Sequence, residues 1–393
     1  MKIAIIGGSI AGCALALLLK DKFDVTVFER SKNLISRGAG ITMAKELLQN
    51  LISKGILDKD TPNHSATSRS FYCQLPSKPD YGHCLWRQDI SVISLHWDTL
   101  FSNLRQRLPD TIYQAGCHIT QVQLNDESPH KITLENGKQQ EFDLIVFADG
   151  YQSIGRQLIS QDSEPNYSGY IAWRGTIDFD LLKDKAPFIN NIPYYCFERG
   201  HLLAYPIYHN KVKKLNWVFY ERLSVEEITS LGPASQIEFS DTAKNHLHQL
   251  ANNKLPKAAA QMICETPLPF MQKIVDVKVD KLIAKGALLL GDASVVLKPH
   301  VGSGASLAIQ DALKLSDELH QGQELQQSLE QWENAILPAR LATYALSQRM
   351  ANALVLNPVL WQGMDEEKMT VWWDGILNKE KWYTNAPFLK SKL

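Results

Sequence analysis

Residues 2–12, KIAIIGGSIAG, join an apolar run of strand length to a glycine-containing turn. A continuous run such as KIAII is typical of a parallel strand that is buried on both faces. Gly7 and Gly8 break this run, and residues 10–20 then have the alanine- and leucine-rich composition of a helix. A second strand is predicted at residues 24–29, DVTVFE. The chain therefore opens with a strand–helix–strand unit.

This opening predicts a site for the pyrophosphate of a dinucleotide. Such a group needs a tight turn, close approach of the backbone and the positive end of a helix. Gly7 and Gly12 serve the turn and the helix–strand contact, and Ser9 is small enough to stand where a middle glycine is usual. The remaining predicted cofactor contacts here are Ile10, Ala11, Glu29 and Arg30. Glu29 ends the second strand, where its carboxylate can accept from both ribose hydroxyls.

Composition narrows the class of partner. The 393 residues include 41 Lys and Arg against 42 Asp and Glu, a net charge of −1, and 45% are hydrophobic. This balance is that of a globular protein, and the absence of like-charge blocks disfavours nucleic acid or an anionic membrane surface. No apolar run is long enough to span a membrane. We expect a cytoplasmic monomer or homodimer that binds a small molecule.

Metal and disulfide chemistry is not expected. The six cysteines are scattered, with no Cys-x-x-Cys pair and no His/Cys spacing typical of a zinc site. Reduced thiols are therefore predicted, and no metal.

The rest of the chain contains segments typical of α/β units and segments typical of antiparallel sheets. Helices are predicted near 43–54, 97–107, 303–319 and 323–354, and buried strands at 143–150 and 287–291. Residues 111–136 have the pattern of antiparallel strands, and residues 166–222 are aromatic-rich strands with two-residue alternation. The fold class is α/β: a Rossmann-like domain with an inserted antiparallel β-sheet domain and long C-terminal helices.

Two further strand ends carry polar residues. Asp149-Gly150 follows one buried strand, and taken alone it would be an ordinary turn. Asp292 follows another, where its carboxylate can accept from a ribityl hydroxyl. Beyond it, a turn enters a helix at Pro299, Gly302, Ser303, Gly304 and Ala305. The backbone N–H groups of such a turn suit the side of a flavin where negative charge gathers on reduction.

The three sites in this order resemble the group A flavoprotein monooxygenases of the para-hydroxybenzoate hydroxylase fold. GGSIAG, residues 37–41 and GYIAWRG at 169–175 look closest to the 2,6-dihydroxypyridine hydroxylase-like branch. The resemblance implies FAD as cofactor, with Arg37, Gly38 and Ala39 near the ribityl chain. It implies that Asp149 and Gly150 form the motif that the family shares between FAD and NAD(P)H binding. It implies an FAD-binding domain (1–70, 97–165, 275–355), a substrate domain (71–96, 166–274) and a C-terminal packing segment (356–393). Trp97 stands where many relatives have an FAD-binding Arg, and Val295 where they have His.

The resemblance also implies a reaction. NADH or NADPH would bind transiently and reduce FAD, and a C4a-hydroperoxyflavin would then hydroxylate a small electron-rich aromatic or N-heteroaromatic ring. His300 is the predicted acid/base, although it could equally fill space. Tyr205, Trp217, Tyr220 and Phe270 are the predicted pocket residues, and Arg174 is expected to have a surface or structural role. Oxidation of a larger polycyclic substrate and a non-catalytic FAD-binding redox sensor remain alternatives.

Overall fold

The computed structural model describes residues 1–32, 40–161, 163–235 and 237–379. Its strands are β1 (Lys2–Ile6), β2 (Asp24–Glu29), β3 (Gly40–Met43), β4 (His64–Cys73), β5 (His83–His96), β6 (Tyr113–Ala115), β7 (Ile119–Gln123), β8 (His130–Leu134), β9 (Gln139–Phe142), β10 (Leu144–Phe147), β11 (Asn166–Asp178), β12 (Asn191–Phe197), β13 (Gly200–His209), β14 (Val212–Arg222), β15 (Phe270–Asp276), β16 (Ile283–Ala284) and β17 (Ala287–Leu289).

Its α-helices are α1 (Ile10–Leu19), α2 (Lys45–Ser53), α3 (Trp97–Arg105), α4 (Arg156–Ile159), α5 (Val225–Leu231), α6 (Asp241–Lys254), α7 (Lys257–Cys264), α8 (Gly304–His320), α9 (Leu325–Ala351) and α10 (Glu366–Leu377). Short 3₁₀ turns lie at 179–181, 186–188, 291–293, 299–301 and 361–363, and a π-helical turn continues α9 over Asn352–Leu356. Among the residues described, none of these helices combines the length and apolar character needed to cross a bilayer.

The first sheet has the strand order β16-β17-β10-β1-β2-β6 and is parallel except for β16. Its central strands are the predicted apolar runs, and their side chains are buried on both faces because helices cover the sheet. Helices α1 and α8 pack against each other there. One detail of the prediction was wrong: β6 pairs in parallel with β2, so residues 113–115 belong to this sheet and not to an antiparallel unit.

The second sheet has the order β15-β11-β14-β13-β12-β4-β5-β3, antiparallel throughout except for β12 and β4. Side chains alternate between its two faces. One face, with Trp173 and Phe219, packs on α6 and α7. The opposite face, with Tyr170 and Tyr220, meets the C-terminal part of α9 and the buried Trp373 of α10. The predicted β-rich insertion is this sheet, and residues 40–43 and 64–70 also contribute strands to it.

Two smaller features complete the fold. Strands β7, β8 and β9 form a separate antiparallel sheet, with Asn136 and Gly137 in the turn between β8 and β9. Helices α8 and α9 are held together by a buried ion pair, in which the Arg340 Nε donates to the two carboxylate oxygens of Asp311 at 3.1 and 3.0 Å.

Candidate cofactor and substrate site

The turn at residues 7–12 leaves no room for larger residues at its glycines. Gly7 has a φ of +105°, and a Cβ there would lie 2.8 Å from the Asp149 Cα. A Cβ on Gly12 would collide with the Gly7 carbonyl oxygen. Ser9 is the N-cap residue of α1, and its hydroxyl does not cap the helix. The backbone N–H groups of Ile10 and Ala11, at the start of α1, therefore follow a tight turn and are not capped by the Ser9 side chain. A helix start of this kind is suited to binding an anion.

Glu29 lies beside this turn. Its carboxylate accepts from the backbone N–H of Gly8 at 2.9 Å and from that of Ser31 at 2.8 Å. These bonds fix the carboxylate at the carboxyl end of β2, next to the start of α1. Arg30 is exposed next to it. Arg37, Gly38 and Ala39 lie outside the described residues, so their role stays a prediction.

Asp149 and Asp292 occupy neighbouring loops at the same edge of the first sheet. The Asp149 Oδ2 accepts from the Ile154 N–H at 2.9 Å. Its Oδ1 is buried and has no hydrogen-bond partner among the described residues, and burial raises the pKa of this carboxyl. Asp292 lines the main cavity of the structure. A buried carboxylate oxygen without a partner is costly unless a ligand supplies the missing donor.

The three predicted loops meet in one cleft. Gly7 touches the Ala148–Asp149 backbone, and a Cβ on Gly291 would lie 3.4 Å from the Ala11 Cβ. The turn at residues 7–12 therefore contacts both the loop after β10 and the loop after β17. An extended dinucleotide fits this arrangement, because the glycine turn gives close approach at one end and Asp292 reaches the cavity at the other.

The cavity has a volume of about 660 Å³ and lies between the second sheet and the loop after β17. Tyr205 and Tyr220, two of the residues proposed for the pocket, line it on the sheet side. The opposite side is built from the predicted turn, with Pro299, Gly302, Ser303, Gly304 and Ala305. Gly150 is half-buried and immediately precedes Tyr151, which lines the cavity. The turn at residues 299–305 and the two tyrosines therefore line one cavity.

His300 is buried in this wall. Its Nε2 lies 3.0 Å from the Tyr170 hydroxyl, and its Nδ1 has no hydrogen-bond partner in the described part of the chain. Burial, reinforced by His201, holds the pKa of His300 well below its ordinary value. The imidazole is therefore neutral near pH 7, so it can donate or accept one hydrogen bond toward a ligand but carries no charge.

Two predicted pocket residues lie elsewhere. Trp217 is on the opposite face of the second sheet, fully buried against α7, where its Nε1 donates to the Thr266 Oγ1 at 2.9 Å. The prediction was wrong because β14 carries aromatic residues on both faces. Phe270 is the half-buried first residue of β15, and the cavity wall on that strand begins one residue later, at Met271.

Arg174 is a cavity residue that the sequence analysis did not select. It shares the face of β11 with Tyr170 and lies directly opposite Val218 of β14, which also lines the cavity. Its Nε is buried without a hydrogen-bond partner among the residues that the structure covers. The two-residue alternation of GYIAWRG could have revealed this, because it places Arg174 on the same side as Tyr170.

The two departures from the family pattern are filled by apolar packing. Trp97 stacks on Phe101, with ring centroids 5.1 Å apart and planes 12° apart. Val295 is buried in the core of the first sheet. The valine side chain therefore offers no polar group at position 295.

Comparison with known proteins agrees with this geometry. The model of a family described as "FAD binding domain" matches residues 1–338. The chain is 26% identical over 376 residues to 2,6-dihydroxypyridine 3-monooxygenase of Paenarthrobacter nicotinovorans, covering 90% of this chain and 91% of that one. It is 25% identical to 3-amino-4-hydroxybenzoate 2-monooxygenase of Streptomyces cremeus, over 89% and 87% of the two chains.

Among solved structures, 2,6-dihydroxypyridine-3-hydroxylase from Arthrobacter nicotinovorans superposes with a TM-score of 0.83 at 25% identity, over 92% of this chain and 94% of that one. The predicted resemblance and the predicted fold class are both confirmed. The chain belongs to the FAD-binding domain family and is an FAD-dependent enzyme of the aromatic-ring monooxygenase class.

Proposed function

We propose that the chain uses NADH or NADPH and O2 to hydroxylate a small, electron-rich aromatic or N-heteroaromatic ring that carries an anionic substituent. The observation that carries this proposal is the cavity wall, which sets Tyr205, Tyr220 and Arg174 opposite the turn at residues 299–305. A flat ring would pack on the tyrosines, and the guanidinium would meet the anionic group.

The residues present fit FAD. The turn at 7–12 would hold the pyrophosphate, Glu29 the adenosine ribose and Asp292 the ribityl chain. The amides at 302–305 would face the ring system, at the start of α8. When bound, FAD supplies the electron transfer from the nicotinamide and the activation of O2. The protein must then hold the substrate ring against the cofactor and keep water out of the cavity.

Cavity size favours a single-ring substrate over the polycyclic alternative. Small-molecule pockets commonly have volumes of about 300–1,000 Å³. A cavity of about 660 Å³ lies in the middle of this range, and it must also admit the reactive edge of the cofactor. The space left over suits a substituted benzene or pyridine.

Arg174 supports the anionic substituent. A guanidinium presents several N–H donors in a fixed fork that matches a carboxylate. In the described residues its Nε is buried without a partner, so a ligand oxygen could satisfy it. The lining also contains Lys298, which is buried with its Nζ 3.8 Å from Asp276, and Lys273. Among the described residues that line the cavity, the basic ones (Arg174, Lys273 and Lys298) therefore outnumber the acidic one, Asp292.

His300 is suited to orienting the ring oxygen. Because burial keeps it neutral, it can exchange a hydrogen bond with a phenolic or hydroxypyridine oxygen without placing a second charge beside it. The contact with the Tyr170 hydroxyl fixes the plane of the imidazole. His300 would thus serve as a hydrogen-bonding group at the reacting end, with Arg174 holding the other end.

The test is a screen of matched compounds on the FAD-loaded protein. We would measure NADH and NADPH consumption together with hydroxylated product for 6-hydroxynicotinate against 2-hydroxypyridine, and for salicylate against phenol. We expect the carboxylates to stimulate turnover more strongly. Arg174→Gln should raise their KM by roughly 10- to 100-fold, since a hydrogen bond to a charged group contributes about 1.5–3 kcal/mol.

Arg222→Gln is the matched control, since Arg222 is an exposed arginine on the neighbouring strand. The two compounds of each pair could instead stimulate turnover equally, in the unmodified protein and in Arg174→Gln alike. That result would contradict the requirement for an anionic substituent on the substrate, but not the assignment as a hydroxylase. If none of these ring compounds stimulates NAD(P)H oxidation, the proposed substrate class would be wrong.

A further inference from the structure

Three side chains that can bind a metal ion meet at the start of α3, outside the cavity. The Asp98 Oδ2 lies 3.7 Å from the His96 Nδ1 and 3.5 Å from the His209 Nε2. One donor atom from each of the three residues lies within 4.8 Å of the other two. Atoms bound to one tetrahedral ion at about 2.0–2.1 Å are roughly 3.3 Å apart. The distances from the Asp98 Oδ2 to the two histidine nitrogens, 3.7 and 3.5 Å, are therefore close to the distance between two ligand atoms of one ion.

The surrounding backbone holds these residues together. The Ser94 Oγ donates to the Pro206 carbonyl oxygen at 2.6 Å, and the Thr99 Oγ1 donates to that of Tyr208 at 3.4 Å. The end of β5 and the first turn of α3 are thereby tied to the end of β13. Because the ligands come from positions that are already fixed relative to each other, little ordering would be needed to complete a site.

The cluster is mostly shielded from solvent and contains an acceptor without a donor. The side chain of His96 is only 3% exposed. The Asp98 Oδ1 is buried without a hydrogen-bond partner in the described ranges. Metal ligands must be deprotonated, and a carboxylate oxygen without a donor gains most from a cation.

One rearrangement is needed. The rings of His96 and His209 are stacked, with centroids 4.1 Å apart and planes 15° apart, and the His96 Nδ1 accepts from the Asp98 N–H at 3.1 Å. An ion must lie near the plane of each ring that binds it. His209 is the last residue of β13 and its side chain is 29% exposed, so its ring has room to turn toward Asp98. His96 would exchange the amide for the ion.

We propose that His96, Asp98 and His209 form a binding site for Zn²⁺ or a similar divalent transition-metal ion, which fastens α3 to the end of β13. Two imidazoles and one carboxylate suit such ions, and water would complete the coordination. The site does not depend on the proposed reaction, since none of the three residues lines the cavity. Asp98 follows His96 by two residues and His209 is far along the chain, which is why spacing gave no signal.

Zn²⁺ binding to the tag-free, FAD-loaded protein tests this proposal. We expect one saturable equivalent by equilibrium dialysis and calorimetry, with a rise in Tm that a chelator reverses. His209→Ala and Asp98→Asn should each weaken binding at least as much as loss of a metal-site outer partner does, about 10- to 100-fold.

His118→Ala is the matched control. His118 has its Nδ1 3.9 Å from a Glu135 oxygen, and the two side chains are 42% and 75% exposed. It therefore offers a histidine–carboxylate pair without a third ligand, and its variant should bind Zn²⁺ as the unmodified protein does. Absence of saturable binding, or equal binding by His209→Ala and Asp98→Asn variants that retain FAD and the native circular dichroism spectrum, would overturn the proposal.

Discussion

The guanidinium of Arg156 binds the backbone of Asp292: its Nη2 donates to the Asp292 carbonyl oxygen at 3.2 Å, and its Nε donates to the next carbonyl oxygen, of Ala293, at 3.1 Å. The same side chain donates to the Tyr151 carbonyl oxygen at 2.9 Å. Arg156 is buried, so it acts as an internal clamp between the loop after β10 and the loop after β17. These loops carry the two acidic residues of the cofactor cleft.

Arg156→Met should therefore weaken FAD binding. The substitution leaves the buried Ala293 carbonyl oxygen without its donor, at a cost of about 1–3 kcal/mol, and also removes the part-buried bonds to Tyr151 and Asp292 that hold the two loops together. We expect at least a tenfold rise in the FAD dissociation constant, which corresponds to about 1.4 kcal/mol. Flavin fluorescence titration would measure it. Arg222→Gln is again the control, and an unchanged dissociation constant in Arg156→Met would contradict the clamp.

Replacement of Gly8 by alanine should disrupt the turn at residues 7–12. A Cβ there would lie 2.5 Å from the ring of Tyr113, whose hydroxyl donates to the Gly8 carbonyl oxygen at 3.0 Å. We expect Gly8→Ala to be purified with little FAD. Tyr113→Ala in the same chain should restore part of the FAD content by making space.

The control for this substitution is Gly375→Ala. Gly375 is inside α10, and no atom lies within 4 Å of a Cβ placed there, so the change should be neutral or stabilising by up to about 1 kcal/mol. Full FAD occupancy in Gly8→Ala would show that the turn can relax.

The buried pair of Asp311 and Arg340 should matter for stability. The two side chains are 3% and 4% exposed. Arg340→Met leaves an unpaired buried carboxylate, which costs about 3–5 kcal/mol of unfolding free energy. Asp311→Leu combined with Arg340→Met should recover most of this loss, because the desolvation cost disappears together with the attraction. Denaturant unfolding of the FAD-loaded protein would measure both variants.

A surface pair provides the comparison. Lys185 lies 2.7 Å from Asp180, which is 95% exposed. Lys185→Met should change stability by no more than about 1 kcal/mol. A similar loss in Lys185→Met and Arg340→Met would argue against a special role for burial.

Two histidines of α6 should give opposite pH dependence. The hydrogen bond to Glu221, whose oxygens lie 2.9 and 3.0 Å from the His246 Nε2, raises the pKa of His246. Its contribution is therefore complete below its unfolded pKa and is lost as the pH rises through the folded pKa. His246→Ala should lower Tm more at pH 5.5 than at pH 8.5.

His248 is the matched control on the same helix. Burial lowers the pKa of His248, so the folded state resists its protonation, and its presence costs stability as the pH falls below the unfolded pKa. His248→Ala should therefore relieve acid destabilisation. Scanning calorimetry of both variants between pH 5 and 9 would check the signs, and parallel curves for the two would contradict the assignment.

Much of the first sheet was predictable from local pattern. β1 and β2 occur at the predicted residues because buried parallel strands require continuous apolar runs. Glu29, Asp149 and Asp292 could be placed together because strand ends at one edge of a parallel sheet converge. β6 was harder, since three residues carry too little pattern to reveal a partner far along the chain.

The second sheet was predictable as a sheet but not in its faces. Alternation in β14 shows that Trp217 and Val218 point in opposite directions, yet it does not say which direction meets the cavity. That choice depends on where α6, α7 and the loop after β17 pack. The strand at 40–43 also could not be assigned, because its pairing with β5 is set by the tertiary structure.

The interleaving of the two sheets has a consequence for biosynthesis. β11 pairs with β15, so the second sheet lacks a strand until residue 276 has been synthesised. β10 pairs with β17, so the first sheet lacks a strand until residue 289 has been synthesised. A nascent chain at that stage exposes unpaired edges, the kind of surface on which chaperones act. Neither sheet is continuous in the chain, so no single cut releases one of them with all its strands.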